Sequence, residues 1–181
     1  MAGLIVGFFG YQRSGKTLLA YLMAESYRNR GIEVYSNMIV PEWNKISSLD
    51  EIPEDKKPKV LVLDEIYYFL DSRTWNSNTG ATIFINTIGK RNILLLMTAI
   101  KPDMIEMRLR EQMNYMVMAM GTESHIKYKM LDIIKNKSAM YTLEKTKELF
   151  QGIKYKTLDV PDFVDITFTK KSKIKKGVKE L

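Results

Sequence analysis

The chain has 181 residues, 45% of them hydrophobic, a formal net charge of +7 and no cysteine. That length supports one well-buried core with little room for a second, and no apolar stretch approaches the roughly 18 residues of a membrane-spanning helix. Disulfides and thiolate metal sites are excluded, a single histidine (His125) cannot build a zinc site, and the lack of cysteine suits a reducing interior.

Met1-Ala2-Gly3-Leu4 runs directly into the first predicted strand, Leu4–Phe9, so no signal peptide is expected. The strand leads into Gly10-Tyr11-Gln12-Arg13-Ser14-Gly15-Lys16-Thr17, which fits G-x-x-x-x-G-K-[ST]. Its glycines let the backbone curl so that several N–H groups converge on phosphate oxygens. All eight residues are therefore expected to hold a nucleoside triphosphate. Lys16 reaches the β- and γ-phosphates, Thr17 offers its hydroxyl to Mg²⁺, and the following helix aims its positive end at the anion. That helix is predicted over about 15–30, with Leu18, Leu19, Leu22 and Met23 on one face and a stop at Gly31.

A second strand, Glu33–Met38, is followed by a polar connection through Pro41, Trp43 and Pro53 to Pro58. The third, Lys59–Leu63, is an apolar run of the kind buried on both faces, and it ends in Asp64-Glu65. Asp64 fits the carboxylate that holds the Mg²⁺ shell at the end of such a strand. Glu65 fits a carboxylate that polarises water for in-line attack on the γ-phosphate. The plainer alternative is that both acids merely open a helix.

Next come an aromatic segment, Ile66–Leu70, a polar stretch, Asp71–Gly80, and a helix over Ala81–Ile88. Gly89-Lys90-Arg91-Asn92 turns the chain into a fourth strand, Ile93–Thr98, expected between the first and third so that its end faces the γ-phosphate. Thr98 is the polar candidate for a phosphate sensor there; otherwise it is a β-branched residue ending a strand. Asp103 is expected to cap a helix reaching about Gln112, before a fifth strand, Tyr115–Ala119. A hairpin (Ile126–Ile134 with Ser138–Tyr141), a short helix over 143–150 and a last strand, Lys154–Val160, complete the pattern. Met104, Met107, Met113, Met116, Met118 and Met120 read as pliable core filling.

Alternating strands and helices argue for an α/β domain with a mainly parallel sheet over residues 1–160. Residues 161–181 form a basic tail, with six lysines against Glu180 in the last twelve positions. Two readings stand for it: a flexible solubilising end, or an arm on nucleic acid. Hydrolysis also needs a positive charge at the transition state, often from a neighbouring subunit. The candidates are Arg73, Arg91, Arg108 and Arg110. Arg91 and Arg110 are favoured, on the expectation that they lie near the C-terminal edge or ring-facing side of the sheet.

The ordered set of motifs resembles the HerA–FtsK superfamily of P-loop motor ATPases, particularly viral genome-packaging ATPases and their Zot-like relatives. The matching pieces are Gly10–Thr17, Ser36-Asn37, Leu61–Glu65, Phe69–Arg73, Gly89–Ile93, Thr98–Pro102, Met107–Arg110 and Tyr155–Asp159, spanning roughly residues 3–160. The resemblance implies a three-layer RecA/ASCE-like fold, with the P-loop strand separated from the Asp64 strand by one strand. It also implies a ring, most often a hexamer, with ATP at subunit interfaces and DNA, double-stranded in the favoured reading, through the centre. A capsid or portal partner, and a place in the host cytoplasm or virion, follow from the same resemblance. Segment 71–80, with Trp75, Asn76, Ser77 and Asn78, is a pore-loop candidate or an ordinary solvent loop. One departure is specific: such proteins place a glutamine at the end of the fourth strand, where this chain has Ala99 and Ile100. The leading reading is an ATP-hydrolysing DNA translocase that packages a viral genome. The alternatives are a Zot-like virion-assembly ATPase, a P-loop small-molecule kinase and a non-hydrolysing nucleotide-binding scaffold.

Overall fold

Along β1 (Leu4–Phe9), Ile5 and Phe9 join one buried cluster while Val6 and Phe8 join another. This is the two-residue alternation of a pleated strand covered on both faces. The same parity divides β4 (Lys59–Leu63) into Leu61 and Leu63 against Val60 and Val62, and β5 (Ile93–Ala99) into Leu95 and Met97 against Leu94 and Leu96. Helix α1 (Lys16–Arg28) covers the second face with Leu18, Ala20, Tyr21 and Ala24. Helices α2 (Thr79–Lys90) and α3 (Met107–Glu111) cover the first with Phe84, Ile85, Ile88 and Leu109. These observations come from a computed structural model that describes residues 3–68, 79–156, 161 and 164.

The result is three layers around one eight-stranded sheet, in the order β3-β2-β4-β5-β1-β6-β7-β8. The pairs β2–β3, β2–β4, β4–β5, β5–β1 and β1–β6 are parallel, with β2 at Glu33–Ser36, β3 at Asn44–Lys45 and β6 at Tyr115–Gly121. Strand β5 lies between β1 and β4, as the fold expectation required. Strands β7 (His125–Asp132) and β8 (Lys137–Glu144) add an antiparallel extension to β6.

Several local expectations are corrected. The second strand stops at Ser36, because the Ser36 hydroxyl accepts the Met38 N–H at 3.0 Å and Asn37 turns to bond elsewhere. Asp103 is not a helix cap. Pro102 opens a 3₁₀ turn behind Lys101, and α3 starts later, capped by buried Glu106, whose carboxylate accepts the Leu109 N–H at 3.0 Å. Leu143 and Glu144 belong to β8, and Thr146 caps a shorter α4 (Lys147–Gln151). Lys154–Lys156 is not a strand: the Lys154 N–H reaches the Tyr21 hydroxyl, and the Tyr155 ring packs 5.1 Å from that of Tyr21. The rest of that expected strand, residues 71–78 of the pore-loop candidate with Arg73 among them, and nearly all of the basic tail lie outside the described residues, while Thr79 and Gly80 open α2.

The methionine expectation holds for Met113 and fails for Met107, Met118 and Met120, which are exposed. Val117 and Ala119 turn inward toward α1, so Met118 and Met120 take the opposite face of β6, where they are exposed.

Candidate functional site

The loop after β1 is held in a shape that side chains resist. Gly10 has φ 146°, and a Cβ there would lie 2.4 Å from the Ala119 carbonyl oxygen. Gly15 has φ 96°, and a Cβ there would meet Ile126 and the Tyr128 hydroxyl at 2.8 and 2.9 Å. Arg13 adopts φ 60° without being glycine, a strained choice of the kind that accompanies function. The Gly10 N–H bonds the Ile100 carbonyl at 3.1 Å, anchoring the loop to the end of β5. Tyr11, Gln12 and Arg13 turn their side chains to solvent, so these positions face the loop interior through backbone alone. Lys16 is 4% exposed, and its ammonium donates to the Tyr11 carbonyl at 3.0 Å.

Three strands deliver the polar centre. Thr17, at the start of α1, donates to Asp64 Oδ1 at 2.8 Å, and Thr98 donates to the same oxygen at 2.7 Å. Thr98 reaches it because it shares the parity of Leu94 and Leu96, on the α1 face of β5. The Thr98 hydroxyl also accepts the Glu65 N–H at 2.9 Å. Asn37 clamps the Asp64 backbone from the β2 side, donating to its carbonyl and accepting its N–H, both at 2.9 Å. Burial pushes the Asp64 carboxyl up from its usual range, and the neighbouring charge of Glu65 adds to this. The Thr98 and Thr17 hydrogen bonds and Lys16 pull it back. Glu65 itself has φ 52°, and its Oε2 is buried without a hydrogen-bond partner. The Tyr67 hydroxyl bonds the Glu65 carboxylate, and burial together with that contact holds the phenol well above its usual range. Burial, with Asp64 and Tyr21 nearby, pushes Tyr155 up to about 12.

The residues present fit a bound triphosphate and a hard cation. A cradle that a Cβ would fill, a buried Ser14 hydroxyl without a partner, and a hydroxyl–carboxylate pair of hard oxygens meet at one helix N-terminus.

Of the expected residues, the structure gathers Gly10–Thr17, Asp64, Glu65 and Thr98. Arg91 is not at the C-terminal edge. Strand β5 runs parallel to β1, with Leu4 opposite Leu94 and Phe9 opposite Ala99, so Arg91 precedes β5 at the far end of the sheet. At about 3.3 Å per residue it is about 25 Å from the loop end of β5. Its guanidinium bonds Glu54 at 3.2 Å, and its N–H bonds the Thr87 carbonyl at 2.8 Å. Arg110 lies four residues before Asn114, which exchanges hydrogen bonds of 2.8 and 2.9 Å with Ile5 near the start of β1. The residue-by-residue sequence reading missed the Asn37 clamp, Tyr67 and Tyr128. Asn37 had one signal, a polar Ser-Asn pair closing a β-rich run. The two tyrosines had none.

A glycine-cradled loop, a helix N-terminus and an Asp-Glu pair one strand away define a P-loop ATPase of the class with an extra strand between the two motifs. The chain belongs to the ATPase family associated with various cellular activities (AAA), which it matches over residues 6–120. It is an ATP-binding, ATP-hydrolysing enzyme. No curated protein matches the sequence. Among solved structures, the fold is similar to the N-terminal domain of zonular occludens toxin from Neisseria meningitidis. That match has 17% identity and a TM-score of 0.60, over 86% of this chain and 100% of that one. It is also similar to the genome packaging NTPase B204 from Sulfolobus turreted icosahedral virus 2. In complex with AMPPCP, that protein matches at 11% identity and a TM-score of 0.60, over 78% of this chain and 98% of that one. The same NTPase in complex with sulfate matches at 12% identity and a TM-score of 0.61, over 78% and 97%. These are the two kinds of protein that the motif order pointed to.

Proposed function

We propose that this ATPase is a DNA translocase that packages a viral genome. The observation that carries the reading is Asp64, bonded by Thr17 and Thr98, beside Glu65 with a buried free carboxylate oxygen, on a fold similar to that of a genome packaging NTPase. The inward N–H groups of Gly10–Thr17 take the phosphate oxygens, and Lys16 leaves the Tyr11 carbonyl for the β- and γ-phosphates. Thr17 and Asp64 would hold Mg²⁺, which when bound neutralises charge on the phosphates. Glu65 polarises the attacking water through its free oxygen. Thr98 orients both acids at once, which gives it a positioning part where related motors carry a glutamine.

In a ring, Arg91 and Arg110 act on a neighbouring subunit's nucleotide. The wider reading places double-stranded DNA in that ring, a capsid or portal protein beside it, and the enzyme in the host cytoplasm or virion. No helix among the described residues is long and apolar enough to cross a membrane.

A second reading, virion assembly of the Zot-like kind, is favoured by one observation: the zonular occludens toxin domain is matched over its whole length. A small-molecule kinase has no use for Glu65.

The test is ATP turnover with and without double-stranded DNA, in the wild type and in Glu65→Gln. The expected result is stimulation by DNA and, in the variant, a turnover loss of about 10²-fold or more with ATP binding kept. Turnover indifferent to DNA removes the motor and leaves virion assembly. Undiminished turnover in Glu65→Gln removes that residue's part, and phosphate transfer to a nucleoside favours a kinase.

A further inference from the structure

We propose that Tyr128, on the antiparallel extension of the sheet, is a positioning residue that sets the P-loop for phosphate and so fixes the affinity for ATP. The inference rests on the ATP reading of Gly10–Thr17 and adds an element outside it.

The loop is wedged against β6 and β7. A Cβ on Gly10 would strike the Ala119 carbonyl oxygen of β6 at 2.4 Å. A Cβ on Gly121, the last residue of β6, would stand 3.1 Å from the Arg13 carbonyl oxygen and 3.3 Å from Ser14 Cα. From β7, Ile126 and Tyr128 lie against Gly15, and the Tyr128 hydroxyl donates to the Gly15 carbonyl at 3.0 Å. Tyr128 is 2% exposed, and its ring packs in the core cluster on the α1 face of the sheet.

The geometry of that one bond matters. The Gly15 carbonyl also accepts the Leu19 N–H at 3.2 Å, the first bond of α1, so both of its lone pairs are engaged. In a planar trans peptide the C=O and the following N–H point in opposite directions, and no cis bond is present among the described residues. Holding the Gly15 oxygen therefore aims the Lys16 N–H the other way, into the cradle. Burial keeps the Tyr128 phenol protonated, well above its usual range, so the donor is always present. The β6–β7 turn that carries the pair is itself braced. The Thr122 N–H and hydroxyl both bond the His125 carbonyl, at 2.8 and 3.0 Å, and Lys145 from beyond β8 bonds the Thr122 carbonyl at 2.6 Å.

Tyr128→Phe keeps the ring and removes the hydroxyl alone. The expected result is a three- to tenfold rise in KM, equal for ATP and GTP because the contact lies at the phosphates, with kcat within twofold of wild type. Tyr141→Phe, on the exposed cross-strand partner of Tyr128, leaves KM unchanged. Gly121→Ala, pressing on Arg13 and Ser14 from the β6 side, raises KM independently and decides the matter if Tyr128→Phe does not fold. An unchanged KM in folded Tyr128→Phe, an unchanged KM in Gly121→Ala where Tyr128→Phe does not fold, or a fall in kcat alone overturns the inference. Absence of ATP binding in the wild type overturns the P-loop reading instead.

Discussion

Replacing Thr98 with valine preserves shape and removes one hydroxyl, and that hydroxyl serves two partners. It donates to Asp64 Oδ1 at 2.7 Å and accepts the Glu65 N–H at 2.9 Å, from a residue with no exposed surface. A hydrogen bond to a charged partner contributes about 1.5–3 kcal/mol, and an orphaned N–H costs about 1 kcal/mol or more. The loss is therefore about 3 kcal/mol. Against a typical total of about 5–15 kcal/mol the domain still folds. With an m-value of about 2 kcal/mol/M, the urea midpoint falls by about 1.5 M. Turnover falls further than stability requires, by about tenfold or more at saturating ATP, because both acids lose their shared anchor. Thr98→Ser keeps the hydroxyl and recovers most of the turnover. Urea titration and steady-state ATPase assays on the three proteins check this. A valine variant with wild-type turnover refutes the reasoning, and so does a serine variant as impaired as valine, since that would credit the methyl group.

Asn37→Asp exchanges the donor facing the Asp64 carbonyl for an acceptor and buries a charge, so it should cost about 3 kcal/mol and be at least as harmful as Asn37→Ala in urea unfolding. Glu25 answers to acid. Burial alone would raise its carboxyl, but the Arg28 and Trp43 hydrogen bonds outweigh burial and leave it lowered. A carboxyl lowered in the folded state contributes stability above its unfolded value, lost as pH falls through the folded value. Thermal melts of Glu25→Gln should therefore lose less stability than wild type as pH drops below about 4.5, where the Glu25 carboxyl ordinarily titrates. Ending the chain at Val164 should leave DNA-free turnover within about twofold. It should also flatten the log-affinity against log-salt slope for DNA by roughly 0.9 per lysine engaged, and an unchanged slope would return the tail to a solubilising end.

What the sequence disclosed and what it hid divide along contact range. Strand β4 was readable because four consecutive apolar residues, Val60–Leu63, ending in Asp-Glu are a local signal, and the P-loop because its glycines are dictated by its own backbone. The position of β5 between β1 and β4 followed from motif chemistry, which needs the end of one strand to face the other two. Arg91 was misplaced because an arginine next to a strand gives no sign of which end of the sheet it will occupy; strand direction decided it. Met118 and Met120 were misread because the pattern shows alternation without showing which face of β6 stays uncovered. Asp103 lost its cap to Pro102, whose ring favours the start of a tighter turn. Asn37 and Tyr128 act across separations of 27 and 113 residues, and no window of the chain holds both members of either pair.

The two bonds that bring Thr17, Asp64 and Thr98 together also shape how the molecule is made. They join positions 47 and 34 residues apart in the chain, on strands that pair only in parallel. Such pairings close long loops before they are rewarded, so contact range predicts a nucleotide site completed late and a β6–β7–β8 meander that closes early through near neighbours. A ligand that binds only the finished site then acts as a fold stabiliser: at a hundred times its Kd it adds about 2.7 kcal/mol. In this chain the concentration of ATP sets, in part, how much of the protein is folded at all.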